Sequence, residues 1–163
     1  MLGKKDPQGR FFDRYVYENH VPQDHELVRI DREVDFSFVE GETRDLYEED
    51  FGRPSWPPEV LFRMLFLEFY SNLSDVQISE QCVYNMLYRW FVGLKLGEGS
   101  PDDTTLVVFR RRLGKERLER FFKKINEQAK AFGGFPEFQE PGQSLFPAGS
   151  ARHTRFLWKT CGG

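Results

Sequence analysis

With 163 residues, the chain has length for one domain and one sizeable core, and its 17 phenylalanines ask for a packed interior. A net charge of −3 gives no global signature of a nucleic-acid binder. Cys82 and Cys161, the only cysteines, suggest neither a disulfide scaffold nor a zinc site. MLGKKDPQGRFF lacks the apolar run of a signal peptide, and the longest apolar run, broken by Arg63 and Glu68, falls short of the roughly 20 residues of a membrane span. The expected setting is soluble and cytoplasmic.

Residues 1–23 carry Pro7, Gly9 and Pro22 around FFDRYVYENH. They read as an extended arm packed through Phe11, Tyr15 and Tyr17. From Asp24, HELVRIDREVDF sets Leu27, Ile30 and Val34 at helical spacing. Asp35 is placed to start a short helix through Phe38 to Tyr47, weakened at Gly41 by roughly 1 kcal/mol relative to alanine. The best-marked helix is RPSWPPEVLFRMLFLEFY, started by Ser55 or by Pro57 and Pro58. Leu61, Met64, Leu65, Leu67 and Phe69 leave it little polar surface, which makes it the central strut.

Ser74-Asp75-Val76-Gln77 fits a capping box. Val76, Val83, Met86, Leu87, Trp90 and Phe91 then make an apolar stripe that stops at Gly93, as one long helix or two joined near Tyr84. Cys82 among these residues is expected to be buried and inert. GLKLGEGSP is a loop, and Asp102 opens the next helix. A last helix from about Lys115 to Phe132 carries Leu118, Phe121, Phe122, Ile125, Ala129 and Phe132 on one stripe before Gly133-Gly134. No convincing period-two alternation occurs in residues 24–133, so the class is all-α. The expected layout is an arm at 1–23, a compact multi-helix domain at 24–133 and an irregular tail at 134–163. The tail has prolines, glycines and aromatics without period, as if read from a different frame.

Charge is unevenly spread. Asp24 to Asp50 holds eleven acids and three arginines, and Arg110 to Lys130 holds nine bases and three acids. A block that basic makes a local patch or a solvated helix face. Glu116 with Arg120 and Glu119 with Lys123 stand in the favourable i,i+4 order, leaving Lys115, Lys124 and Lys130 for phosphates.

PDDTTLVVFRRRLG, residues 101–114, concentrates the functional question. Adjacent aspartates on a helix point about 100° apart, so Asp102 and Asp103 make a poor metal site, and capping by Asp102 is the better account. Leu106, Phe109 and Leu113 share the buried face, flanked by Arg110. Thr104, Thr105, Val108, Arg111 and Arg112 fall on the other side. A recognition helix uses its early residues on base edges while nearby arginines and lysines fix phosphates. Val108 suits a thymine methyl, and an arginine forks onto guanine. An amphipathic helix kept soluble by its arginines explains the same pattern, and composition leaves both open.

Taken together, DHELVRIDREVDF, GRPSWPPEVLFRMLFL, LSDVQISEQCVYNMLYRWFVGL and PDDTTLVVFRRRL occur in order with sensible gaps. This succession resembles the N-terminal, InsH-like domain of bacterial insertion-sequence DDE transposases, over roughly residues 14–133. The resemblance implies a helical domain that binds double-stranded DNA at terminal inverted repeats, with PDDTTLVVFRRRL as the second half of a helix-turn-helix-like unit. The DNA-binding residues would be Thr104, Thr105, Val108, Arg111, Arg112 and Lys115. It also implies an RNase-H-like nuclease domain using three carboxylates and two Mg²⁺ ions. Residues 134–163 contain no Asp and only Glu137 and Glu140. The expectation is therefore a non-enzymatic chain with no catalytic residue, no metal ligand and no cofactor of its own. A regulatory fragment that associates with itself or with a full-length transposase is the alternative.

Overall fold

The computed structural model describes residues 11–47 and 56–131. These residues form helices and no strand, as an all-α domain requires. The order is α1 (Phe11–His20), α2 (Glu26–Glu33), α3 (Phe38–Thr43) continued by a 3₁₀ turn (Arg44–Leu46), α4 (Pro58–Ser71), α5 (Asp75–Tyr84), α6 (Met86–Val92), α7 (Asp103–Leu113) and α8 (Lys115–Ala131). No helix among the described residues is long and apolar enough to cross a membrane.

The strut is α4. Pro58 occupies its first turn, where a missing N–H costs nothing, and every residue from Val60 to Glu68 is buried. It ends at Asn72, which takes the left-handed conformation (φ 52°) while the Leu73 N–H donates back to the Glu68 carbonyl at 2.9 Å. α3, α5, α6 and α7 all pack on it. The phenylalanines account for much of that packing. Phe121 meets Phe38 and Phe62 edge-on, each at 5.2 Å between centroids, and Phe122 meets Phe69 at 4.7 Å. Such edge-to-face pairs add roughly 0.5–1.5 kcal/mol each beyond the area they bury, and they fasten α8 and the start of α3 to the strut.

The capping box forms as its sequence demands. The Gln77 N–H donates to Ser74 Oγ, and Gln77 Oε1 accepts from the Ser74 N–H. The stripe drawn onward from Val76 is corrected. α5 buries Ile78 and Cys82, while Val76 and Val83 face outward. The reason is a break at Asn85, whose side chain accepts from the Leu87 and Tyr88 N–H groups and starts α6 anew. That restart shifts the helical phase. Burial pushes the Cys82 thiol up to about 12, so it stays protonated and unreactive.

Residues 11–20 also differ from the expected extended arm, because they form α1. Asp13 and Tyr17, one helical turn apart, are buried, and the Tyr17 hydroxyl donates to the Leu94 carbonyl at 2.8 Å. α1 thereby packs against α6. Phe11 and Tyr15, expected to pack, are exposed, since the 13–17 stripe turns them to the opposite side. The short helix expected at Asp35 starts at Phe38, and Asp35 instead accepts the Ser37 N–H at 2.8 Å. Residues 1–10, Ser55, Phe132, Gly133-Gly134 and the 134–163 tail lie outside the described residues.

Candidate nucleic-acid interface

The sequence DDTTLVVFRRRL folds into α7 because both ends are specified. At the N-terminus, Asp102 Oδ1 accepts the Thr105 N–H at 2.6 Å and the Thr104 hydroxyl at 2.9 Å. These bonds hold the Asp102 carboxyl below its ordinary range and make it the cap of α7. At the other end Gly114 adopts φ 74° and ψ 164°, a conformation that is essentially glycine's alone, and its N–H bonds the Arg110 carbonyl at 3.1 Å. α8 starts at the next residue.

Leu106, Phe109 and Leu113 are buried, as the helical wheel requires. Thr104, Val108, Arg111 and Arg112 are exposed on α7, and Lys115 is exposed just past the turn. Thr105 is half-buried, drawn in where its N–H meets the cap. Val108 is 43% exposed, an aliphatic side chain on a polar face. The Arg112 guanidinium lies 6.0 Å from the Tyr47 ring centre, so one of the two outward arginines is held and the other reaches into solvent.

Arg110 does not flank the core face. It is 2% exposed, with Nη2 donating to Glu68 Oε2 at 2.8 Å and to Asp75 Oδ1 at 2.5 Å. Nη1 reaches Asp75 Oδ2 at 3.3 Å. This guanidinium ties α7 to the end of α4 and the start of α5 at once. Burial pushes the Glu68 carboxyl up to about 8, against the pull of Arg110 and with the push of Asp75.

Two other buried arginines do related work. Arg63, on the strut, donates to Asp31 at 2.5 Å, to Glu59 at 2.9 Å and to the Phe91 carbonyl at 2.9 Å, and it stacks over Phe36. Arg89 gathers the carbonyls of Cys82, Lys95 and Glu98 at 2.8, 2.5 and 2.7 Å. The nine-residue loop before α7 is thus pinned by a guanidinium from α6, which fixes where α7 begins. Sequence reasoning missed all three roles. A usable signal existed for two residues: Arg63 and Glu68 interrupt a helix apolar on every side, and charges buried in a strut must be paired.

The basic block is corrected most. Arg117 makes a two-pronged pair with Asp45 at 2.9 and 2.8 Å, and Glu42 receives both Arg120 and Lys124 at 3.3 Å. Lys115 lies 3.9 Å from Glu119, and Lys123 lies 4.0 Å from Glu127. The pairing register within α8 therefore differs from the expected one, and neither Lys115 nor Lys124 is unengaged. The acidic 42–45 segment folds onto α8 and engages Arg117, Arg120 and, of the three lysines expected to meet phosphates, Lys124.

No solved structure matches this chain. The family described as Transposase domain (DUF772) matches residues 15–112, from α1 to the outward arginines of α7 and so more than half of the 163 residues; the chain belongs to that transposase domain family.

Proposed function

We propose that this domain binds double-stranded DNA, at the terminal inverted repeats of an insertion sequence, through the outward face of α7. The observation that carries the reading is the content of that face within a transposase domain: Thr104 beside the capped N-terminus, Val108 in the middle, then Arg111 and Arg112. Helix N-termini favour phosphates, small side chains and methyl groups meet base edges, and guanidinium groups fix the backbone or fork onto guanine. The α5–α6 pair and α7 supply a helix-turn-helix-like frame in which the pinned loop replaces the usual short turn. We assign no catalytic residue, metal or cofactor to these helices. Strand cleavage with Mg²⁺ would belong to a nuclease domain outside them.

The test is fluorescence anisotropy with a duplex carrying the inverted repeat that flanks the coding sequence, against a shuffled duplex, over a range of salt. Specific binding should be at least roughly 10³-fold tighter than to the shuffled duplex, with log K falling by about 0.9 per phosphate contacted as log salt rises. Equal affinity for both duplexes would remove the reading.

A second reading is association with another copy or with a full-length transposase. It is supported by Phe11, Phe12 and Tyr15, which α1 turns outward. A dimer by light scattering with only non-specific DNA affinity, roughly 10⁻⁴ to 10⁻⁶ M, would favour it.

A further inference from the structure

Two buried carboxylates from different helices converge on a single nitrogen of Arg110. Glu68 and Arg110 are 3% and 2% exposed, and Asp75 is 8% exposed. With both acids ionised the cluster would carry one uncompensated negative charge away from water, which costs several kcal/mol. One shared proton makes it neutral. Asp75 sits in the first turn of α5, where the helix dipole favours its charge, so the proton belongs on Glu68, next to Asp75. Burial of Glu68 and the proximity of Asp75 both act in that direction.

We infer that Glu68 and Asp75 are positioning residues for the α7 face, and that the proton they share makes the seating of α7, and hence its grip on DNA, depend on pH. This rests on the proposed role of α7. The geometry is specific to that helix, because Arg110 is the neighbour of Arg111 and lies two residues from Val108. Losing the proton sets two like charges, Glu68 and Asp75, side by side on the guanidinium that fixes where those side chains stand, with one of them uncompensated. Of the other charged groups on elements packed against α4, Arg111 and Arg112 of α7 are exposed. Arg89 of α6 binds carbonyls, and Glu42 of α3 binds Arg120 and Lys124. On α4 itself Arg63 pairs with Glu59 and with Asp31.

The sign follows from the direction of the shift. A carboxyl whose folded-state value is raised contributes stability that is present below its ordinary range and is lost as pH rises through about 8.

The experiment has two arms, on the full chain at constant ionic strength. In the first, ¹H–¹⁵N spectra of the free protein are recorded from pH 6 to 9.5. The α7 amides and the Arg110 side chain should shift together with a midpoint near 8. That transition should vanish in Glu68→Gln and move to lower pH in Asp75→Asn, which removes the like charge. The difference between the unaltered protein and Glu68→Gln isolates Glu68. In the second arm, affinity for the inverted-repeat duplex should fall above the midpoint by up to about tenfold per pH unit, the limit for one linked proton, and Glu68→Gln should flatten the fall. If the α7 signals do not shift, or shift identically in Glu68→Gln, the shared proton is refuted. If they shift while affinity stays level with pH, the link to DNA is refuted. If no specific binding occurs at any pH while the α7 transition is present, the DNA role of α7 fails and takes the linkage with it. Should Glu68→Gln not fold, the downward move in Asp75→Asn decides the first arm.

Discussion

α7 and α8 are consecutive helices of similar basic content, separated by one glycine, and they put their charge to opposite uses. On α8, Arg117, Arg120 and Lys124 pair with Asp45 and Glu42. On α7, Arg111 and Arg112 face outward, and no ion pair among the described residues engages either. The richer basic run is the more internally paired one. A base contributes to a potential at the surface only to the extent that its counter-charge lies elsewhere, and on α8 the counter-charge is an ångström-scale neighbour. Within α7 the same contrast is repeated between adjacent residues: Arg110 binds two carboxylates in the interior, and Arg111 stands in solvent.

The largest test of this contrast is Arg110→Ala. It strips the partner from two buried carboxylates, and removal of one side of a buried ion pair typically costs 3–5 kcal/mol. Urea denaturation at pH 7 should show that loss, whereas Arg111→Ala should leave the midpoint nearly unchanged. Equal midpoints for both variants would mean that the interior pairing contributes little.

For DNA the order should invert. Changing Arg111 and Arg112 together to alanine should weaken inverted-repeat binding by about 1–3 kcal/mol per lost base contact, or lower the salt slope by about 1 per lost phosphate contact. The paired change Arg117→Ala with Arg120→Ala should leave both quantities close to those of the unaltered protein. A larger loss from the α8 pair would move the interface to α8.

The junction and the cap give smaller effects. Gly114→Ala meets no side-chain clash, since open space surrounds the position, but it forces alanine to φ 74°. Backbone strain of that kind costs of order 1–3 kcal/mol, and thermal unfolding should register it. Asp102→Ala removes the cap of α7 and should cost about 1 kcal/mol, with faster amide exchange at Thr104 and Thr105 as its local mark. No change in exchange there would mean that α7 is held by its packing alone.

Much of this architecture is written in local sequence, because caps and short-range periodicity act within a turn or two of the residues that encode them. The capping box at Ser74, the stop at Gly93, the Asp102 cap and the buried stripe Leu106–Phe109–Leu113 are of this kind. So is the outward placement of Thr104, Val108, Arg111 and Arg112. The phase of α6 relative to α5 was not legible, because a one-residue break at Asn85 alters which side a stripe faces without changing its composition. α1 was not legible either, since its helix is justified by burial of Tyr17 against α6 and by a bond to Leu94, 77 residues away.

By itself the sequence determined the all-α class, the apolar strut, the caps at Ser74, Gly93 and Asp102 and the face that α7 turns outward. Only the tertiary structure decided which charges remain available to a partner. Arg110 meets Glu68 and Asp75 at separations of 42 and 35 residues, and Arg117 meets Asp45 at 72. Coulombic pairing depends on distance in space and on burial, and neither is encoded by the spacing of charges along the chain.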